Sequence, residues 1–320
     1  MLASYLNLYQ SGELAERVQQ AQAELHACRL CGWDCGIDRA QELGPCRTGM
    51  KAIVSTAYIH FGEERPLSRQ TAEGGGAGAI FFANCDLRCQ FCQTARWNIQ
   101  GNGRELSAEQ VARLMLDLQA KGANNINLVT PTHVASQILQ ALLVAVERGL
   151  TIPLVWNSGG YDSPATLALL DGIVDIYLPD MKYSDSALAR SMSVVRDYAE
   201  LNQAAVAEMH RQVGDLQLDD LGVAQRGLLV RHLVMPQHHE NSAGVLHWIA
   251  DNLGPNTYLS LMDQYRPAYR AFAREDIGRA IRPDEYARAR DLALSLGLTR
   301  LDDHLLYDDR QSSLRTDLSE

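Results

Sequence analysis

Apolar positions along the chain follow two rhythms, a helical spacing of about 3.6 residues and short unbroken runs, and the two alternate regularly after residue 79. Leu14, Val18, Ala21 and Leu25 recur at helical intervals and predict a first helix within residues 12–26. Further on, Ala79–Ala83, Ile126–Thr130, Ile152–Trp156, Ile173–Leu178, Leu228–Met235 and Thr257–Met262 read as strands. Helical stripes separate them. Ser107-Ala-Glu-Gln110 has the form of a capping box, Val111, Leu114, Met115 and Leu118 form the stripe it starts, and Gly122 ends it. Further helices are predicted over 134–148, from Ser163-Pro164, over 184–213, over 243–252 and over 283–296.

Strands that alternate with helices call for a parallel sheet with right-handed crossovers. Six such units are fewer than the eight of a closed barrel. The expected fold is therefore α/β: a partial (β/α)6 TIM-like barrel, open at one side, with an N-terminal cysteine-rich segment and a helical C-terminal extension. The expected organisation is 1–56 for the N-terminal helix and four-cysteine metal-binding segment, 57–270 for the barrel and 271–320 for the extension.

Bulk composition narrows the function. The 320 residues carry a net charge of −10, with a pI near 5.4, which disfavours nucleic acid as a partner while leaving a basic protein open. No apolar run approaches the roughly 20 residues of a membrane span, and Met1-Leu-Ala-Ser lacks the basic start of a signal peptide. A cytoplasmic location is expected. Seven cysteines, all before residue 93, do not form the evenly spread pairs of a disulfide framework.

They fall into two groups. Cys85-Asp-Leu-Arg-Cys89-Gln-Phe-Cys92 directly follows the first apolar run, and three thiols there can hold an iron–sulfur cluster by three corners. A four-iron cluster normally takes four thiolates, so one iron would be open for chemistry. Buried free cysteines or part of a structural zinc site are the alternatives. The other group, Cys28, Cys31, Cys35 and Cys46, supplies four thiols in a glycine-containing loop. That suffices for a tetrahedral zinc or iron staple or for a second iron–sulfur centre, and the staple is preferred because the spacing shows no open position.

Chemistry in parallel αβ barrels sits at the C-terminal strand ends, and here each end is polar. They supply Asn127 with Thr130-Pro-Thr132-His133, then Asn157-Ser158-Gly, Asp180-Met-Lys182, Arg231-His232 and Asp263-Gln-Tyr265. Asp180 and Lys182 share a face of an extended chain and can bind a zwitterion or each other. Only one of Arg231 and His232 can point inward; a bound carboxylate suits Arg231, whereas a buried, hydrogen-bonded ring is the ordinary state of His232. Thr130 and Thr132 can also cap the next helix. Before the thiol strand, Glu63 and Glu64 are either surface charges or substrate contacts, and Gly74–Gly78 reads as a flexible turn.

Several motifs together resemble the radical S-adenosylmethionine (radical SAM) superfamily, and within it the homologues of pyruvate formate-lyase activating enzyme. They are Phe81–Gln93, Ile126–His133, Asp175–Tyr183, Glu208–Gly214 and Val230–Pro236, within a similarity covering about residues 28 to 300. The resemblance implies a 4Fe–4S cluster on Cys85, Cys89 and Cys92. Reductive cleavage of SAM would then give a 5′-deoxyadenosyl radical that abstracts hydrogen from a substrate, with no catalytic residue beyond cluster and cofactor. It implies SAM contacts from Phe91, Asn127, Thr130, Thr132, His133, Asn157, Ser158, Asp180, Lys182 and Arg231, with Thr132 or His133 replacing an absent glycine-glycine-glutamate motif. Glu63, Glu64, His232 and Tyr265 are the substrate candidates. An electron donor of the flavodoxin or ferredoxin type and a glycyl radical enzyme as protein substrate are the implied partners. A small-molecule or peptide substrate, and an electron-transfer or sensor protein without SAM chemistry, are the competing functions.

Overall fold

The computed structural model describes residues 3–72 and 74–302. Residues 303–320 of the expected C-terminal extension lie outside them. Strands in chain order are β1 (Ala52–His60), β2 (Gln70–Thr71), β3 (Gly74–Gly75), β4 (Ala77–Phe82), β5 (Arg104–Leu106), β6 (Asn125–Val129), β7 (Leu154–Ser158), β8 (Ile176–Pro179), β9 (Gln217–Leu218), β10 (Ala224–Leu233) and β11 (Tyr258–Met262). The main sheet runs β11-β10-β8-β7-β6-β4-β1-β5, with β9 paired to β10. From β4 to β11 every neighbour in that order is parallel. The six predicted strands thus appear in sequence order, as right-handed crossovers between neighbours require. This is a mixed α/β fold with a mostly parallel sheet, consistent with a partial TIM-like barrel.

The two faces of the sheet have different cores, because side chains alternate along a strand. Ile80 and Phe82, Ile126 and Leu128, Leu154 and Trp156, and Leu228 and Val230 face outward and pack with Val111, Met115, Ile138, Leu142 and Val206 of the covering helices. Their neighbours in sequence face the lumen. There a smaller apolar cluster gathers Val155, Ile176, Leu178 and Leu229 around Leu67 and Leu216.

Two departures from the expected pattern matter. Ala52–His60 is a nine-residue strand, antiparallel to β4, running through residues 56 and 57 where a boundary was expected. Its exit loop carries Leu67 into the lumen cluster. The region 184–213 is two helices, Ser186–Ser193 and Tyr198–Val213, because Val194 and Asp197 take positive φ angles of 60° and 48°. The capping box at Ser107 and Gln110 is present as predicted. Gly74–Gly75 turns back on Gln70–Thr71 as a small hairpin, and a Cβ at Gly75 would stand 2.6 Å from the Arg69 carbonyl oxygen, so the turn requires glycine there.

Candidate functional site

β4 delivers the three-thiol loop to the C-terminal edge of the parallel sheet. Asn84 adopts φ 66°, which turns the chain out of the strand, and its Nδ2 donates to the Arg47 carbonyl at 3.2 Å and to Thr48 Oγ1 at 3.3 Å. Cys85, Cys89 and Cys92 are all free thiols. Cys85 Sγ accepts from the Leu87 amide at 3.3 Å and Cys89 Sγ from Ser193 Oγ at 3.0 Å. Burial pushes the Cys89 thiol up to about 11 while Lys182 pulls it down, and burial followed by Asp86 raises Cys85. Phe91 packs on Tyr265 with ring centroids 6.0 Å apart, and the Tyr265 hydroxyl is spent on the Ile277 carbonyl at 2.8 Å.

Among the described residues no three His, Cys, Asp or Glu side chains converge as the ligands of a single ion would. A four-iron cluster binds each thiolate at a different iron. Three neighbouring thiols, two of which already receive an amide or a hydroxyl donor, are a donor set suited to such a cluster. The four N-terminal cysteines are also close enough to perturb one another: Cys28 and Cys46 both raise Cys31 and Cys35, after burial. Arg39 Nε donates to Cys28 Sγ at 3.1 Å. Here too no single point of convergence is present.

The N-terminal segment is packed directly against the thiol loop. Trp33 Nε1 donates to the Asp86 carbonyl at 2.6 Å, Arg88 reaches the Pro45 carbonyl, and Cys31 forms a bridge with Asp162. Asp162, 1% exposed, is a residue that sequence reasoning missed. It accepts from Thr132 Oγ1 at 2.8 Å, Trp156 Nε1 at 2.9 Å and Ser158 Oγ at 2.7 Å. Thr132 and Ser158, expected at SAM, therefore have their hydroxyls on this carboxylate, and Thr132 caps no helix. Burial lowers His133 to about 3; its Nε2 donates to the Ala83 carbonyl at 2.9 Å. Arg39 holds the His133 carbonyl in turn, at 2.7 Å. Thr130, a β-branched residue at φ 62°, marks the end of β6 with backbone strain of the kind that gathers at functional sites.

Four polar side chains project into the lumen below. Asp180 pairs with Lys182 and, at 2.8 Å, with Arg231 Nε; Arg231 Nη2 also donates to Asn157 Oδ1 at 2.5 Å. Against the cost of burial, Arg231 and Lys182 hold Asp180 below the usual carboxylate range. A Cβ at Gly160, φ 70°, would collide with the Asp180 carbonyl and the Asn202 amide, so this close approach needs glycine. His232 takes the outward face: its Nδ1 donates to the Met181 carbonyl at 2.6 Å and Nε2 accepts from Ser242 Oγ at 2.9 Å. Burial drops it to about 4. Both ring nitrogens are engaged away from the lumen.

Of the two readings open for Glu63 and Glu64, surface charges or substrate contacts, their place in the lumen removes the surface one. Asn157 Nδ2 donates to Glu63 Oε2 at 3.4 Å, and His60 Nε2 lies 3.9 Å from Glu63 Oε1. Burial, then Glu64, pushes Glu63 up to about 7 against the pull of Arg231. Asn125 and Asn127 follow the same alternation; Asn125 was missed, although its spacing of two from Asn127 is a period-two signal.

No protein-family model matches the chain. Uncharacterized protein MJ0674 of Methanocaldococcus jannaschii is 28% identical over 304 residues, which cover 91% of this chain and 80% of that one. Among solved structures, Streptococcus suis SuiB bound to S-adenosylmethionine is 13% identical with a TM-score of 0.48, over 69% of this chain and 47% of SuiB. SuiB bound to precursor peptide SuiA gives 13% and 0.46, over 67% and 44%. TYW1 with a lysine-pyruvate adduct bound gives 12% and 0.41, over 68% and 72%. The chain thus spans less than half the length of the SuiB structures it matches.

Proposed function

We propose that the protein is a radical SAM enzyme in which Cys85, Cys89 and Cys92 hold a 4Fe–4S cluster and the polar strand ends hold S-adenosylmethionine beside it. The observation that carries this reading is the set of three neighbouring free thiols at the C-terminal end of the first parallel strand, above a polar lumen. When bound, these groups supply a 5′-deoxyadenosyl radical by reductive cleavage, and that radical takes a hydrogen atom from the substrate. The chain's own residues bind, orient and shield. Asp180 with Lys182 and Arg231 offers paired charges to the zwitterionic end of the cofactor, and Phe91 with Tyr265 keeps water from one side of the thiol loop.

Supplied anaerobically with iron, sulfide, SAM and dithionite, the protein should form 5′-deoxyadenosine. Cys89→Ala should lose that product together with most of the loop's iron, counted alongside zinc. A wild type that holds the iron and yields no 5′-deoxyadenosine would instead be an electron-transfer or sensor protein. The finer reading, supported by the motif resemblance, is an activase that takes a glycine hydrogen from a partner enzyme and draws electrons from a flavodoxin- or ferredoxin-type donor. Mixing with a glycyl radical enzyme should then give a glycyl radical signal; turnover on a metabolite or peptide with no such signal removes the activase.

A further inference from the structure

In the lumen lies a group of buried polar atoms that have no hydrogen-bond partner among the described residues. Asn127 is fully buried, and neither amide atom completes a hydrogen bond, although it lies close enough to Glu63 to favour that carboxylate's charged form. Glu64 is 3% exposed with Oε2 unpartnered, and Asn125 Oδ1 is in the same state. An unmet buried polar atom costs about 1–3 kcal/mol, so four of them in one lumen point to a missing occupant.

Charge and shape give its chemistry. Asp180 is already bound by both Lys182 and Arg231. Glu63 has only His60 within ion-pair distance, at 3.9 Å, and Glu64 has no ion pair among the described residues. Among the described residues the two carboxylates thus have no Lys or Arg at ion-pair distance, although Arg231 lies close enough to act on both. Beside them stands an aromatic wall: Tyr58 stacks on Phe81 with centroids 5.5 Å apart, and His60 meets both rings, at 5.5 and 6.4 Å. Tyr58, His60 and Phe81 are each half-buried. The side chains of Glu63, Asp180, Arg231 and Lys182 retain 10%, 14%, 16% and 18% exposure, so solvent reaches the space they border. Carboxylates paired with aromatic faces are the recognition chemistry of cations.

We infer that this lumen is the recognition site of the substrate and takes a cationic group, a primary ammonium or a guanidinium, between the Glu63–Glu64 pair and the Tyr58–Phe81 wall. The assignment rests on the mouth being the reaction site: Asp180 and Lys182, which border this lumen, lie close enough to Cys89 to act on its thiol. Without an occupant, burial and the neighbouring Glu64 favour the protonated form of Glu63. A bound cation takes that proton's place and lets Glu63 ionise. The titratable and charged groups facing that exchange are Glu63, Glu64, His60, Arg231, Asp180 and Lys182. The same chemistry admits a small amine or a lysine or arginine side chain.

The test is calorimetry at pH 7 on the anaerobically reconstituted protein, without SAM, using agmatine and 1,4-diaminobutane as cationic probes and 1-butanol and succinate as uncharged and anionic ones. Only the cationic probes should bind, with proton release revealed by a heat that changes between two buffers of different ionisation enthalpy. Glu63→Gln and Glu64→Gln should each weaken agmatine by tenfold or more while melting no lower than wild type. Cys89→Ala should bind agmatine as wild type does, which separates this site from the radical chemistry. No heat with either cation up to about 10 mM, equal binding of succinate or 1-butanol, or unaltered agmatine binding by both Gln variants overturns the inference. Agmatine binding in a protein that never cleaves SAM would leave this site standing and remove the proposed reaction.

Discussion

Asp162 and Glu64 are carboxylates buried to nearly the same depth, 1% and 3% exposed, and they have opposite surroundings. Three side-chain donors from two parts of the chain meet Asp162, Thr132 after β6 and Trp156 and Ser158 on β7. Glu64 is left with an orphan oxygen beside an orphan asparagine. Burial alone therefore says little about a carboxylate's role; the partners say it. Asp162 joins the ends of β6 and β7 to the N-terminal segment through its bridge with Cys31, and so fixes the floor on which the thiol loop rests. Glu64 and its neighbours are fixed in place but not satisfied, as a site awaiting a ligand would be.

Removing the satisfied carboxylate should do the greater damage. Asp162→Ala strands two hydroxyls and an indole N–H in a closed interior, and at about 1–3 kcal/mol for each stranded donor the summed loss is on the order of 4 kcal/mol. Chemical unfolding should show that fall, and iron retention by the thiol loop should fall with it. An Asp162→Ala protein as stable as wild type would erase the contrast with Glu64.

Within the lumen, Glu63 is the group whose pH response can be read. Glu63 is raised to about 7 from an unfolded value near 4.5, so the folded state holds its proton more tightly than the unfolded chain does. The stability this supplies is complete below about pH 4.5 and is lost as pH rises through 7, with a ceiling of about 3 kcal/mol. Unfolding curves collected between pH 4.5 and 8 should slope downward in wild type, and the slope should flatten in Glu63→Gln. An unchanged slope in that variant would remove Glu63 as its source.

How far the sequence revealed these two carboxylates differs for physical reasons. The alternation of strands and helices is a local signal, so the six parallel strands and the Ser107 capping box were legible, and so was the rule that only one of Arg231 and His232 turns inward, though not that the substrate candidate His232 is the outward one. Ala52–His60 was not recognised as a strand: most of its residues are only half-buried, so it lacks the apolar run or clean alternation that marks one. Missing that strand left Glu63 and Glu64 open between surface charges and substrate contacts, because it is the strand's antiparallel course that sends the following loop into the lumen. Asp162 stood unnoticed beside the Ser163-Pro164 helix start, since its partners lie 4, 6 and 30 residues away and leave no periodic trace. The break at Val194–Asp197 has neither glycine nor proline to announce it.

The smallest change probes the join between the N-terminal segment and the loop. Trp33→Phe keeps the aromatic bulk and removes a single hydrogen bond, the 2.6 Å contact from Nε1 to the Asp86 carbonyl. The net stability cost should be about 1 kcal/mol. Its effect on the reconstituted thiol loop should be a faster loss of iron to a chelator than that small loss of stability accounts for, because the carbonyl it releases lies one residue from Cys85. If Trp33→Phe sheds iron no faster than wild type, the N-terminal segment is covering the loop rather than bracing it. The satisfied side of the comparison would then shrink to Asp162 and its three donors.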